Sequence, residues 1–171
     1  MYAKKYFIHF IIKMQNDDEL RKKMIDIADE IELGMTIYVH KTSLEWISLP
    51  DMDNYFEIYE EDDWADDRAK LAADRVNYVE IPRVLPRRMY LTMQRFSDEI
   101  VTDLELKTQL NEALQVQAPF RYFKNAVYNS GAKYKNAWHR FRGELYFEWV
   151  REHFGLLLHV YLLDVIAEEE D

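Results

Sequence analysis

With 171 residues, 32 acidic and 22 basic side chains and a formal charge of -10, the chain is long enough to bury a sizeable core. Its acidity excludes wholesale attraction to nucleic acid or an anionic membrane, leaving only a local basic patch to act on such partners. Cysteine is absent, which removes disulfides, thiol nucleophiles and thiolate metal sites and fits a reducing compartment.

Two apolar runs, Tyr6 to Ile12 and Leu156 to Ile166, are shorter than the roughly 20 apolar residues of a spanning helix. Both are expected as strands or buried helix segments. The first lacks the small-residue cleavage site of a secretory signal, so a cytoplasmic protein without a membrane partner is expected. From Asn16 or Asp17 a helix should run to about Leu33, with Leu20, Met24, Ile27, Ala28 and Ile31 on one face and Gly34 closing it. Met35 to His40 and Leu44 to Leu49, around Lys41-Thr42-Ser43, read as a hairpin. The composition then turns acidic, with no basic residue between Asp51 and Asp67. Tyr55 to Tyr59 would be a third strand within that run, followed by a helix from about Trp64 to Arg75 and a strand Tyr78 to Ile81 ending at Pro82.

Pro86 opens a helix with Met89, Met93, Phe96 and Ile100 on one face, and Thr102 with Glu105 has capping-box spacing for the next, whose Leu106, Leu110, Ala113 and Leu114 are apolar. Pro119 suits a first helical position. Phe120, Phe123 and Val127 follow on one stripe until Asn129-Ser130-Gly131 stops the helix. A last helix from near Ala132 places Tyr134, Trp138, Phe141, Leu145 and Trp149 on a buried seam. The expected class is α+β in a single domain: a small antiparallel sheet with a helix in residues 1–82, a four-helix unit in 83–155, and an apolar segment with an acidic tail in 156–171. Met93, Phe96, Leu110, Leu114, Phe120, Phe123, Trp138 and Phe141 are its expected core.

The order Tyr90-x-x-Met93-x-x-Phe96, Leu110-x-x-Ala113-Leu114, Phe120-Arg121-Tyr122-Phe123-Lys124 and Trp138-x-x-Phe141, together with the stretch from Ile27-Ala28-x-x-Ile31 to Leu49, resembles the bacterial uncharacterised protein family 0158 of the UPF series over roughly residues 20–154. Ala118-Pro119 stands where that family tends to have Gly-Ala, and Ser43-Leu44-Glu45 replaces its usual Gly-Glu hairpin turn. The resemblance implies no activity, cofactor or substrate, and no catalytic residue.

The histidines, His9, His40, His139, His153 and His159, show no spacing that would set two ligands on one helical face. Carboxylates bind hard cations, and Asp51, Asp53, Glu60, Glu61, Asp62 and Asp63 are the metal candidates, although the run has no calcium-loop glycine and reads first as a solvated acidic face. No serine-nucleophile elbow or phosphate-binding glycine loop is present, and no cofactor is expected. The one constellation with a mechanism is basic and aromatic: Arg121, Lys124, Lys133, Lys135, Arg140 and Arg142 would neutralise phosphates, and exposed rings among Tyr122, Tyr128 and Tyr146 would stack unpaired bases.

Three functional classes follow. The preferred one is an interaction or adaptor protein with an acidic and a basic face, engaging an unidentified protein partner or a second copy of itself. The next is a binder of single-stranded nucleic acid or RNA, which requires Arg121, Tyr122 and Lys124 on the surface. The third, a divalent-metal enzyme of phosphoryl or nucleotide chemistry, requires at least three of the acidic candidates to converge.

Overall fold

The computed structural model describes residues 18–50 and 63–168, with side chains described as far as Leu157. The α+β class expected from the sequence is the class observed: six α-helices and a three-stranded antiparallel sheet among the described residues. The chain forms two compact units. One joins the residues up to Arg83 with those from Phe147 onward, and the other is Val84–Tyr146.

In the first unit, helix α1 (Asp18–Glu32) begins with Asp18 and Glu19, where the helix dipole favours negative charge, and buries Leu20, Met24, Ile27, Ala28 and Ile31. Its end is set by Gly34, which takes a φ of 92° and donates its amide to the Ile31 carbonyl at 3.0 Å. Strands β1 (Met35–His40), β2 (Trp46–Pro50) and β3 (Tyr78–Ile81) assemble in the order β2-β1-β3. Ile37 lies opposite Ser48 on one side and Ile81 on the other, and Tyr38 lies opposite Ile47 and Glu80. Because side chains alternate along a strand, Ile37 and Val39 share the face that packs on α1, where both are fully buried. Helix α2 (Ala65–Ala73) packs on the opposite face through Leu71, which joins Ile47, Tyr78, Tyr38 and Leu49.

The hairpin loop is longer than expected. Strand β2 starts at Trp46 rather than Leu44, since Leu44 adopts a left-handed φ of 57° and its amide bonds back to the His40 carbonyl at 3.0 Å. The His40 ring supports this loop by accepting the amides of Thr42 and Ser43 on Nδ1. The helix expected to reach Arg75 stops at Ala73, and Arg75–Asn77 form one 3₁₀ turn before β3. The expected elements Tyr6 to Ile12 and Tyr55 to Tyr59 lie outside the described residues.

In the second unit, helix α3 (Pro86–Arg95) runs into a π turn, Phe96–Ile100. Helix α4 (Leu104–Ala113) is capped by Asp103, whose carboxylate accepts the Leu106 amide at 2.9 Å. Thr102, the capping residue expected from spacing, sits one position too early, and its hydroxyl pairs with the Tyr134 hydroxyl at 3.0 Å instead. Helix α5 (Pro119–Asn129) follows Ala118 in the left-handed conformation, with φ 64° and ψ 53°. Gly131, at φ 92°, turns the chain into α6 (Ala132–Glu168), a continuous 37-residue helix. The apolar run Leu156 to Ile166 is therefore helical, the last part of α6, and not a strand. The residues of α6 from Phe147 on belong to the first unit, where Val150, Phe154 and Leu157 are buried and the Trp149 indole donates to the Pro82 carbonyl at 2.6 Å.

The second unit's core joins Met93, Phe96, Val101, Leu106, Leu110, Ala113, Leu114, Phe123, Val127, Tyr134 and Trp138, with Phe141 packed against it. Phe96 meets Trp138, Phe141 and Phe123 edge-on, at centroid distances of 5.1, 5.7 and 6.3 Å. This matches the expected core except at Phe120, which is 40% exposed. On a helix of 3.6 residues per turn a step of three falls about 60° short of a full turn. Phe120 therefore points to one side of the buried line that Phe123 and Val127 define.

Candidate functional site: a cationic and aromatic face on two helices

The face is carried by α5 and the first four turns of α6, both within the second unit. Their buried sides, Phe123 and Val127 on α5 and Tyr134 and Trp138 on α6, fix which residues remain outside. Arg121, Tyr122, Lys124, Lys133, Lys135 and Arg140 are all exposed, as the sequence reading requires of a binding surface. Arg142 is half-buried and does not belong to the open face.

Tyr128, half-buried near the end of α5, is the hub. The ammonium groups of Lys124 and Lys135 stand 5.5 and 5.0 Å from its ring centroid, and the His139 ring packs against it edge-on at 5.5 Å. The Tyr128 hydroxyl lies 3.1 Å from His139 Nε2. Separately, the Arg121 guanidinium stacks over Tyr122 at 5.2 Å, and Lys133 stands 4.6 Å from the Tyr134 ring centroid. Such contacts hold a cation by the ring quadrupole without neutralising it.

Charge neutralisation sets this face apart from its surroundings. Within the second unit Arg95 is bound through two nitrogens to Glu99, and Lys107 lies 3.6 Å from Asp98. Among the described residues no carboxylate is within ion-pair distance of Arg121, Lys124, Lys133, Lys135 or Arg140. The Tyr134 hydroxyl accepts the Asp103 amide at 3.2 Å and receives Lys133 Nζ at 3.4 Å. Its bond with the Thr102 hydroxyl, first among these partners, holds its pKa below the ordinary tyrosine range.

Beside Tyr122 lies an open depression of about 530 Å³, walled by Ala113, Val116, Tyr122 and Ala126 and rimmed by Gln109, Glu112 and Gln117. Val116 is 46% exposed and Tyr122 45%. The surface thus combines apolar area, tyrosine and uncompensated cations.

The structure brings Lys124 and Lys135 together at Tyr128, and Arg121 onto Tyr122. Arg140 joins neither group. The role of His139 is not readable from sequence, because it depends on how the turn at Gly131 folds α6 back on α5. Of the metal candidates, Asp51, Asp53, Glu60, Glu61 and Asp62 lie outside the described residues, and Asp63 is exposed just before α2. Among the described residues no group of three or more histidine or carboxylate side chains is placed to hold a metal ion. No described helix is long and apolar enough to cross a membrane.

Fold and face together define a small α+β protein whose clustered surface chemistry is cationic and aromatic. The chain belongs to the Uncharacterised protein family (UPF0158), whose sequence profile it matches over residues 54–156. No curated protein and no solved structure matches it.

Proposed function

We propose that the protein is a non-catalytic interaction protein that binds an acidic, apolar-containing segment of a protein partner on the α5–α6 face. One observation carries this reading: the depression is walled by Val116 and by Tyr122, over which Arg121 stacks, and Lys124 follows on the same helix, neither cation being within ion-pair distance of a carboxylate among the described residues. Tyrosine and arginine at the edge of an exposed apolar surface are the usual composition of an interface anchor. The cations would steer an acidic partner and fix its register, while the depression contributes burial.

A second reading, binding of single-stranded RNA, is favoured by Lys124 and Lys135 converging on Tyr128. Against it, both lysines lie against the ring on which a base would stack, and the whole chain repels a polyanion at a charge of -10.

The test places a photo-crosslinking phenylalanine analogue at Tyr122 in cells that express the protein. A discrete, nuclease-resistant protein adduct that disappears in the Arg121→Glu/Lys124→Glu variant is expected. A nuclease-sensitive adduct would transfer the face to RNA, and no charge-dependent adduct of either kind would refute both readings. The charge-reversed variant should keep its helical circular dichroism, because neither cation has a structural ion pair.

A further inference from the structure

The first unit carries a second site of opposite character, independent of the α5–α6 face. An open depression of about 660 Å³ lies where α1, the hairpin and α2 meet, lined by Glu30, Leu33, Met35, Trp46, Ile47, Ser48, Pro50, Trp64 and Asp67. Among the described residues its walls hold two indoles and two carboxylates and no basic side chain. The Trp46 indole donates to Glu30 Oε1 at 3.1 Å, which fixes the ring and leaves the other carboxylate oxygen for a ligand. The Ser48 hydroxyl in the same wall is buried without a hydrogen-bond partner.

From this geometry we infer that the depression takes an arginine side chain of a partner protein. Indole faces attract cations more strongly than the other aromatic rings, and a guanidinium both stacks on such a face and presents a planar fork to carboxylates. Among the described residues no lysine or arginine is within ion-pair distance of Glu30 or Asp67, so both carboxylates are open to a cation from a partner. Volume separates a peptide from a small cation. Sites for drug-sized ligands occupy about 300–1,000 Å³, so this space exceeds a lone quaternary ammonium and suits a side chain with its flanking backbone. Glu30 arrives from α1 and Asp67 from α2, on opposite sides of the sheet edge, so one guanidinium can be approached by carboxylates from two directions.

The experiment titrates isotope-labelled full-length protein with the tripeptide acetyl-Gly-Arg-Gly-amide, following the four indole N–H signals by two-dimensional NMR. Saturable movement of the Trp46 and Trp64 signals is expected, with those of the buried Trp138 and Trp149 unmoved. The citrulline peptide, an uncharged isostere, should bind at least about tenfold more weakly, a difference of about 1.4 kcal/mol. Glu30→Gln/Asp67→Asn should weaken the arginine peptide to a similar degree while leaving the Trp46–Glu30 hydrogen bond possible through the glutamine carbonyl.

Three results would overturn the inference. One is the absence of saturable movement up to about 10 mM peptide. Another is equal movement with the citrulline peptide, which would make the site one of shape alone. The third is movement with tetramethylammonium but not with the arginine peptide, which would assign the site to a small cation.

Discussion

Truncating Phe96 to alanine should destabilise the protein more than any other single ring deletion in the second unit. The side chain is 0% exposed and meets three rings edge-on, at 5.1 Å from Trp138, 5.7 Å from Phe141 and 6.3 Å from Phe123. Deleting a buried phenylalanine typically costs about 3–5 kcal/mol through lost burial and the cavity left behind. Three simultaneous aromatic pairs, each adding about 0.5–1.5 kcal/mol, place Phe96→Ala at the upper end. For a chain of this size about 2–4 °C of thermal midpoint is lost per kcal/mol, so a fall of roughly 8–20 °C is expected by circular dichroism. Phe120→Ala is the internal control. Its ring is 40% exposed and lies off the buried line, so it should cost less than about 1 kcal/mol. Equal losses from the two variants, or a loss below about 1 kcal/mol at Phe96, would refute the assignment of the helix faces.

Ala118→Gly should raise the urea midpoint by the equivalent of about 0.5–1 kcal/mol. The substitution relieves a left-handed alanine at φ 64°, worth about 1–2 kcal/mol, and returns part of that gain as unfolded-chain freedom; a lowered midpoint would contradict the strain. Tyr38 carries a pH dependence. Burial, and after it the Glu80 carboxylate, push its pKa above the ordinary tyrosine value. A phenol whose folded pKa is raised contributes stability that is intact below its unfolded value, near about 10, and is lost as pH rises through the folded one. Tyr38→Phe should therefore lose less stability than the parent between pH values of about 9 and 12, measured as denaturation midpoints; parallel alkaline limbs would sink this account.

Helix faces were legible in the sequence wherever apolar residues recurred at helical spacing over several turns. Leu20, Met24, Ile27 and Ile31 on α1, and Tyr134 and Trp138 on α6, are buried as their spacing requires. Phe120 misled because spacing registers a stripe but not its edge, and a first-turn residue at the margin of a stripe can face water. Thr102 and Asp103 are both good caps, so composition alone could not choose between them. The choice fell to the Tyr134 hydroxyl, which engages Thr102 from a position 32 residues away. Among the described residues two non-glycine positions, Leu44 and Ala118, are left-handed, and neither turn could be read from a glycine, the residue that takes this conformation most easily. On the α5–α6 face, the cations were visible as a composition bias. Their lack of carboxylate partners was not, since Glu144 stands four residues from Arg140, a spacing that invites a pairing absent from the fold.

Helix α6 contributes to both units, and this dictates an order of completion during synthesis. Everything the second unit needs has been made once Tyr146 has left the ribosome. The first unit, although its sheet emerges earlier, must wait for Val150, Phe154 and Leu157. Translation of the 63 residues from Val84 to Tyr146 takes roughly 3–13 s at about 5–20 residues per second. For that interval the apolar side chains of α1 and β1 are without the segment that completes their unit. Of the two units, the one begun earlier is completed later.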